Sequence, residues 1–149
     1  MSKPDFKEII RIMDVDLDGS NVIRQELTKI KGIGPTLAMA ILNKARIPPN
    51  LRVGQLTDEQ INRLVEIIKN VENIFPPYLL NRRFDRYDGK DHHYLGADLT
   101  LVQQQDIEFE KSIGSWRGYR HSYGLKVRGQ RTRTTGRKST PIGVKRRKK

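Results

Sequence analysis

A strongly basic C-terminal segment constrains this chain more than any other feature of its sequence. In "KVRGQRTRTTGRK", residues 126–138, six of the thirteen residues are Lys or Arg, none is acidic, and Val127 is the one sizeable apolar side chain. Such a segment cannot bury enough apolar surface to fold by itself. We therefore predict an extended arm that is disordered in the isolated chain and becomes ordered against a partner.

The charge of the whole chain is divided between two regions. Residues 1–110 contain 15 Lys and Arg and all 17 Asp and Glu, a net charge of −2, whereas residues 111–149 contain 14 Lys and Arg and no acid, a net charge of +14. The formal charge of +12 on the 149 residues therefore comes entirely from the C-terminal region. A near-neutral body with a basic arm favours a polyanionic partner, most often nucleic acid, over a merely solubilising tail.

Composition also excludes several classes of protein. The chain has no cysteine, which excludes disulfides, thiol catalysis and thiolate zinc sites and suits a reducing cytoplasm. No apolar run approaches the roughly 20 residues that cross a membrane. The N-terminus, "MSKPDFKEII", lacks the long apolar stretch and small-residue cleavage site of a secretory signal. We expect no membrane partner.

Apolar spacing predicts a mainly α-helical body. One helix is expected after a cap at Ser20 or Asn21, a second restarts at Pro35, and a third opens with a capping box between Thr57 and Gln60. A fourth helix is predicted over residues 98–112. The predicted inward faces of the last three helices are, in order, Leu37, Ala38, Ile41, Leu42 and Ala45; Ile61, Leu64, Val65 and Ile68; and Leu99, Val102, Ile107 and Phe109.

Two non-helical stretches interrupt this body. The alternation of apolar and polar residues from Ile10 to Leu17 predicts a short strand or an extended segment. Residues 78–97, called the excursion below, hold no helical period, and the Asp88-Gly89 pair predicts a small β-hairpin within them. We predict three parts: an N-terminal helical domain (1–75), the hairpin excursion and long helix (76–113), and the basic arm (114–149).

The segment "IKGIGPTLA", residues 30–38, is typical of a helix–hairpin–helix. Its glycines permit a sharp turn and a close approach of the backbone to a partner. The N–H groups that open the second helix can hold a phosphate, with the charge of Lys31 beside them. A plain helix–helix connector with a glycine at its cap is the alternative. The basic arm on the same chain favours phosphate contact by Lys31, Gly32 and Gly34.

In "SWRGYRHSYGLKVRGQRTRTTGRK", residues 115–138, basic residues alternate with aromatic ones. Arginine binds phosphate in a bidentate manner, and both arginine and aromatic rings stack on splayed bases. Trp116 and Tyr119 could stack on bases or could instead pack on the helical body, and the sequence leaves both open. Beyond Leu125 the arm is predicted to be extended.

The sequence contains no pattern that favours an enzyme. A helix–hairpin–helix also occurs in repair glycosylases and nucleases, but those need a nucleophile or general base in a pocket, and there is no glycine-rich phosphate loop followed by Lys and Ser or Thr. His92 and His93 are adjacent, so in a strand they would point to opposite faces rather than to one metal. Asp14, Asp16 and Asp18 lack the glycine spacing and closing glutamate of a calcium loop. We predict neither enzyme activity nor a cofactor or metal.

The segment "RGYRHSYGLKVRGQRTRTTGR" resembles the C-terminal signature of the universal small-subunit ribosomal protein thirteen family, an R-G-x-R-H run followed by G-L-x-V-R-G-Q-R-T-x-T. The helix–hairpin–helix and "DVDLDGSN" also match, so the resemblance covers almost the full length. "FPPYLLNRRFDRYDGKDHHYLGADL" and "GVKRRKK" look like the archaeal and eukaryotic branch. Trp116 and Tyr119 depart from the smaller or aliphatic residues common there, and Ser122-Tyr123 sits where bacterial members are basic.

The resemblance implies a structural component of the small-subunit head, in the cytoplasm within the ribosome. It implies four sets of partners: small-subunit rRNA, peptidyl-site tRNA, small-subunit protein nineteen, and, across the subunit interface, large-subunit protein five with large-subunit rRNA. The implied rRNA-binding residues are Lys31, Gly32, Gly34, Arg117, Arg120, His121, Lys126, Arg128, Arg131, Arg133, Arg137 and Lys138. The implied tRNA-binding residues are Lys145, Arg146, Arg147, Lys148 and Lys149. A free-standing DNA- or RNA-binding module fits the charge and the hairpin equally well, and only the tail signature separates the two.

Overall fold

The computed structural model describes residues 6–135, which divide into two compact units, the first ending at Val102 and the second beginning at Gln103. The fold is mainly α with one small β-hairpin, as predicted. The strands are β1 (Ile9–Ile12) and β2 (Val15–Asp18). The α-helices are α1 (Ile23–Glu26), α2 (Pro35–Ala45), α3 (Asp58–Lys69), α4 (Val71–Ile74), α5 (Gly96–Ser112) and α6 (Trp116–Ser122), and short 3₁₀ turns occupy Leu27–Lys29, Val53–Gln55 and Pro77–Leu79.

The segment from Ile10 to Leu17 is a hairpin of two strands, where we predicted a short strand or an extended segment. β1 and β2 pair antiparallel, with Ile12 opposite Val15. The two residues between them, Met13 and Asp14, both have positive φ, at 48° and 62°. Two successive positive φ values make the tight turn whose twist suits a two-residue hairpin. This turn could not be predicted from the sequence, because Met13-Asp14 is not one of the Asn-Gly or Asp-Gly pairs that usually mark a two-residue hairpin turn.

The core lies entirely within the first unit. All five apolar residues predicted on α2 are buried, and Pro35 begins that helix. On α3 the capping box is present, since Thr57 Oγ1 accepts from the Gln60 N–H at 3.3 Å and Gln60 Oε1 accepts from the Thr57 N–H at 3.1 Å. Leu64 and Ile68 are buried as predicted, Ile61 and Val65 are partly buried, and Ile67 is an additional core residue.

The start of α1 is not capped as predicted. Neither Ser20 nor Asn21 accepts a hydrogen bond from the helix, whose N-cap is Val22. Instead the buried carboxylate of Glu26 accepts from the Asp18 N–H at 3.0 Å and from Asn21 Nδ2 at 2.9 Å, and it pairs with Lys29 Nζ at 2.7 Å. Burial alone would raise the pKa of Glu26, but these partners outweigh it and hold the pKa below its usual value. A charged side chain inside α1 therefore fixes the hairpin end to the helix.

α5 differs from its predicted amphipathic form. Leu99, Val102, Ile107 and Phe109 are half-buried at most, and no residue of α5 is buried. The apolar residues of α5 follow no sharp stripe, because Leu101, on another side of the helix, is also apolar and exposed. In the described part of the second unit the one buried residue is Gly118. None of the helices in residues 6–135 combines the length and hydropathy needed to span a membrane.

The excursion turns back on itself around Asp88-Gly89, as predicted, but it is held by a single antiparallel bridge rather than by a ladder of strands. Arg82 and His92 exchange two backbone hydrogen bonds, at 3.1 and 2.8 Å. Inside that bridge the Asp85 N–H donates to the Lys90 carbonyl at 2.8 Å, and Gly89 has a φ of +68°. Side chains complete the loop, because the Arg82 guanidinium pairs with the buried Asp85 at 2.6 Å.

Candidate nucleic-acid interface

The helix–hairpin–helix predicted over residues 30–38 is present in the first unit. The 3₁₀ turn that follows α1 ends at Lys29, and α2 begins at Pro35. Between them the Ile33 N–H donates to the Ile30 carbonyl at 3.0 Å, and both of these side chains are buried. The turn is thus anchored by two apolar side chains, which leaves Lys31 and Gly34 on the outside.

Gly32 faces the chain's own excursion. Its φ is +99°, and a Cβ built on it would lie 2.6 Å from the Tyr94 carbonyl oxygen and 2.9 Å from Leu95 Cδ2. The neighbouring Lys31 carbonyl accepts from the Gly96 N–H at 2.9 Å. Asn81 fixes Tyr94 from the other side, donating to its carbonyl at 2.7 Å and accepting from its N–H at 3.1 Å. The glycine is therefore required by packing of the turn on residues 94–96.

The N-terminus of α2 is open. Gly34, Pro35 and Thr36 are exposed, and no side chain caps the helix at Gly34. A Cβ on Gly34 would meet no atom within 4 Å. The first N–H groups of a helix have no partner within it and lie at the positive end of its dipole. With the exposed Lys31 three residues before Gly34, this end of α2 has the chemistry that binds a phosphate.

In the second unit, α6 is fastened to the end of α5. Ser115 is the N-cap of α6: its Oγ accepts from the Gly118 N–H at 3.0 Å and donates to Glu110 Oε2 at 2.6 Å. Gly118 lies so close to α5 that a Cβ on it would stand 2.1 Å from the Glu110 carbonyl oxygen. The R-G-x-R-H run therefore needs its glycine so that the helix carrying Arg117 and Arg120 can approach α5.

The predicted arm cations in residues 103–135 are mostly exposed. The side chains of Arg117, Lys126, Arg128 and Arg131 are exposed, with no hydrogen bond or ion pair to another described residue. Arg120 and His121 are half-buried, and Arg120 Nε donates to the Lys126 carbonyl at 3.0 Å. Arg133 is exposed and takes part in an interaction within the chain. Residues 125–135 have no helix or strand, in agreement with an extended arm.

Seven of the predicted site residues have no described position. Arg137, Lys138, Lys145, Arg146, Arg147, Lys148 and Lys149 lie outside residues 6–135. The remaining rRNA-binding candidates fall into two sets. Lys31, Gly32 and Gly34 belong to the first unit, and the set from Arg117 to Arg133 belongs to the second. The first set presents one exposed cation, Lys31, and the second set presents several.

The two adjacent histidines of the excursion have opposite environments. His92 Nε2 lies 2.7 Å from Asp88 Oδ2 and its Nδ1 lies 3.4 Å from Glu72 Oε1, and the hydrogen bond with Asp88 is the main reason that the pKa of His92 is raised. His93 is buried, its Nδ1 accepts from the Asn81 N–H at 3.3 Å, and burial lowers its pKa. No cluster suited to a metal ion occurs within residues 6–135.

Three functional features escaped the sequence or were left open by it. Trp116, Tyr119 and the C-cap residue Tyr123 are exposed and contact one another in order along one side of α6. Their spacing of three and four residues is the signal that indicates a shared helical face. Glu26 has no such signal, because its partners at Asp18 and Asn21 are defined only by the folded hairpin. The contact of Gly32 with Tyr94 joins residues far apart in sequence.

An open helix N-terminus in a helix–hairpin–helix and exposed cations on an arm without acids are both typical of nucleic-acid-binding proteins. The comparison with protein families narrows this class. Residues 11–138 match the family model described as ribosomal protein S13/S18. The chain belongs to this family, whose members are structural and not enzymes, and it is therefore a structural ribosomal protein.

Individual relatives are similar in sequence to this chain over nearly its whole length. A protein named small ribosomal subunit protein uS13 from Aeropyrum pernix is 49% identical over 144 residues, which covers 96% of each chain. The protein of the same name from Staphylothermus marinus is 46% identical over 149 residues, 99% of each chain. That from Pyrobaculum islandicum is 46% identical over 144 residues, 97% of this chain and 94% of the relative. The family and the archaeal likeness predicted from the arm and the excursion are confirmed.

Proposed function

We propose that this chain is a structural component of the head of the small ribosomal subunit, where it binds small-subunit rRNA in the cytoplasm. The observation that carries this proposal is that Arg117, Lys126, Arg128 and Arg131 are exposed and have no hydrogen bond or ion pair to another described residue, in a member of a ribosomal protein family. Cations that no carboxylate neutralises are available for phosphate. Pairing with phosphates releases condensed counterions from the RNA, which supplies most of the binding free energy.

The arm is the principal rRNA ligand in this proposal. Its contacts are Arg117, Arg120, His121, Lys126, Arg128, Arg131, Arg133, Arg137 and Lys138. The guanidinium groups bind phosphate oxygens in a bidentate manner. The conformational entropy lost when the arm becomes ordered is offset by this charge pairing. An extended segment without its own core suits this role, because it can follow the surface between rRNA helices.

The helix–hairpin–helix is the second rRNA contact. The exposed N-terminus of α2 at Gly34 and the exposed Lys31 bind one phosphate of the RNA backbone. Gly32 contributes to this rRNA contact indirectly, since its own contact with Tyr94 sets the course of the turn. Phosphate contacts of this kind fix position and orientation rather than sequence.

The first unit also takes part in contacts with proteins. We assign to it small-subunit protein nineteen within the head and, across the subunit interface, large-subunit protein five with large-subunit rRNA. Exposed apolar side chains beside carboxylates on the hairpin support a protein-binding face: Phe6 and Ile9 lie with Glu8 and Asp16 along one groove. In this proposal residues 1–75 form the bridging domain and also carry the rRNA contact of the helix–hairpin–helix, residues 76–113 are the excursion and long helix, and residues 114–149 are the main rRNA-binding arm.

The extreme C-terminus contacts peptidyl-site tRNA in this proposal. Lys145, Arg146, Arg147, Lys148 and Lys149 are five consecutive cations. An extended chain covers about 3.3–3.6 Å per residue, so an arm that leaves the body near Leu125 has ample reach. A site that must accept every tRNA needs contacts with the phosphate backbone, because these carry no base specificity.

Competition binding tests the proposal directly. The full chain is titrated with a labelled fragment of small-subunit head rRNA, and unlabelled fragment or duplex DNA of equal length serves as competitor. The rRNA fragment is expected to compete much better than DNA, because the arm follows folded RNA as well as charge. Equal competition by both would favour a general nucleic-acid-binding module and would contradict the ribosomal assignment.

A further inference from the structure

The exposed aromatic side chains of α6 have no role in phosphate binding. From their geometry we infer that Trp116, Tyr119 and Tyr123, the aromatic ladder, bind an unpaired nucleobase of RNA by stacking. This inference rests on the proposed RNA-binding function and adds a site for bases to the contacts with phosphates. The three rings are largely exposed, which favours base stacking between the two alternatives that the sequence left open.

The three rings form one continuous surface. The Trp116 and Tyr119 ring centroids are 5.4 Å apart and their planes differ by 13°, which is a stacked arrangement. Tyr119 and Tyr123 follow with centroids 4.7 Å apart and planes tilted by 50°. Residues spaced by three and four positions lie one above the other on a helix. The ladder therefore presents ring surfaces in a fixed order along α6.

The attachment of α6 turns the ladder outward. Gly118 lies on the other side of the helix and is pressed against Glu110, and Ser115 ties the first turn to the same residue. As a result, Trp116 is 69% exposed, Tyr119 50% and Tyr123 60%. Large aromatic side chains are among the most favourable to bury, so three on one exposed face indicate a binding surface.

The positive charges around the ladder favour RNA as the ligand of this surface. Arg117 is exposed next to Trp116, and the Arg120 guanidinium carbon lies 5.8 Å from the Trp116 ring centroid. No acidic residue occurs in residues 111–149. A single-stranded RNA segment satisfies both features, because its base stacks on the ring while its phosphate pairs with the arginine. A paired duplex offers no free base face, and an apolar protein surface would leave the arginines without counter-charges.

Arg120 connects this site to the part of the arm without helix or strand, residues 125–135. Its guanidinium lies over the Trp116 ring, and its Nε donates to the Lys126 carbonyl. The same side chain thus holds the first residues of the arm beside the ladder. A nucleotide stacked on Trp116 would therefore be followed along its strand by the cations that start at Lys126.

Trp116 is the single tryptophan of the chain, so its fluorescence reports on this site alone. The full chain is titrated with a short unstructured oligoribonucleotide and, separately, with heparin, a polyanion without bases. Stacking is expected to quench the emission to a saturating value with RNA, whereas heparin binds without that quenching. Equal quenching by heparin, or RNA binding without quenching, would overturn the inference.

Variants distinguish the effect of base stacking on RNA affinity from the effect of the phosphate contacts. Trp116→Ala is expected to weaken binding of the oligoribonucleotide about 5- to 100-fold, the usual effect of losing one base-stacking aromatic, with the salt dependence unchanged. Trp116→Phe should retain most of the affinity. Tyr87→Ala, at a residue of the excursion that is 74% exposed, is the matched control and should bind like the wild type.

The outcomes distinguish the inference from the proposed function. If wild-type chain binds RNA with a steep salt dependence and Trp116→Ala binds equally well, the ladder is not a base site while the proposed function stands. If an unchanged RNA affinity is accompanied by a lost protein contact in assembled subunits, the ladder belongs to a protein partner and the inference is overturned. If the wild-type chain binds no RNA, both fail.

Discussion

Gly32 packs so closely on Tyr94 that the two residues join the helix–hairpin–helix to the excursion. The space between Gly32 and the Tyr94 carbonyl oxygen does not accommodate a Cβ, which would stand 2.6 Å from that oxygen. The excursion thus helps to shape the turn before α2. That turn positions the N-terminus of α2. A contact inside the protein therefore determines how the proposed phosphate-binding end of α2 is presented.

Replacing Gly32 with alanine should destabilise the chain by at least about 2 kcal/mol, because a side chain at a φ of +99° is strained and also collides with the excursion. Gly34→Ala is the matched control. Its φ of −89° suits alanine and its surroundings are open, so a change within about 1 kcal/mol is expected. Urea unfolding of both variants measures the difference. Equal stabilities would mean that Gly32 and Tyr94 are not in contact.

The adjacent histidines should titrate on opposite sides of the ordinary value of 6.5. The pKa of His92 is raised, first by Asp88 and then also by Glu72, so its contribution to stability is complete below pH 6.5 and is lost as pH rises through the raised pKa. The pKa of His93 is lowered by burial, so its contribution is complete above pH 6.5 and is lost as pH falls through the lowered pKa.

NMR titration of the histidine ring protons measures both values. Unfolding experiments with variants then check the sign of each contribution. His93→Gln leaves His92, so the free energy of unfolding should decline as pH rises above 6.5. His92→Gln leaves His93, so it should decline as pH falls below 6.5. The same pH dependence in the two variants would contradict the environments described for these side chains.

Replacing Arg128, Arg131 and Arg133 together with alanine should weaken rRNA binding and lower the slope of log affinity against log salt by roughly 0.7–0.9 for each lost phosphate contact. Arg24, Lys44 and Lys69 are exposed cations of the first unit, and their triple alanine variant is the control with equal loss of charge. Filter binding over a range of salt concentrations gives the slopes. An unchanged slope in the arm variant would show that these arginines do not bind phosphate.

Deleting residues 145–149 should leave assembly into the small subunit intact, since the proposed rRNA contacts lie upstream. Binding of peptidyl-site tRNA should weaken modestly and about equally for different tRNAs, because contacts with the phosphate backbone ignore sequence. Filter binding of several tRNAs to small subunits with intact or truncated chain measures this. Identical affinities throughout would show that the five cations neutralise nearby rRNA instead.

Local features of the fold could be predicted from sequence, and features that depend on distant partners could not. The stripe of α2 and the capping box of α3 were correct because their signals lie within a few residues. The cap at Ser20 or Asn21 was wrong because the backbone of Asp18 and the side chain of Asn21 are satisfied by Glu26, which the hairpin brings near. The predicted inward face of α5 is only half-buried, and no residue of that helix is buried.

The candidate site, like the fold, combines features that could be predicted from the sequence with features that could not. The charge of the arm and the opening of α2 could be read from composition and motif, and the family is confirmed by the comparisons. The orientation of the aromatic ladder required the structure, because it depends on Gly118 meeting the carbonyl oxygen of Glu110. The individual RNA-binding residues and the three-part division of the chain remain predictions.

Sedimentation tests the central claim most directly. A lysate containing the chain is run through a sucrose gradient at moderate salt, alongside one containing the triple alanine variant of Arg128, Arg131 and Arg133. The wild-type chain is expected to sediment with the small subunit, and the variant should be displaced from it at lower salt because its hold on rRNA phosphates is weaker. A wild-type chain that stays at the top of the gradient, or that moves with DNA, would contradict the account.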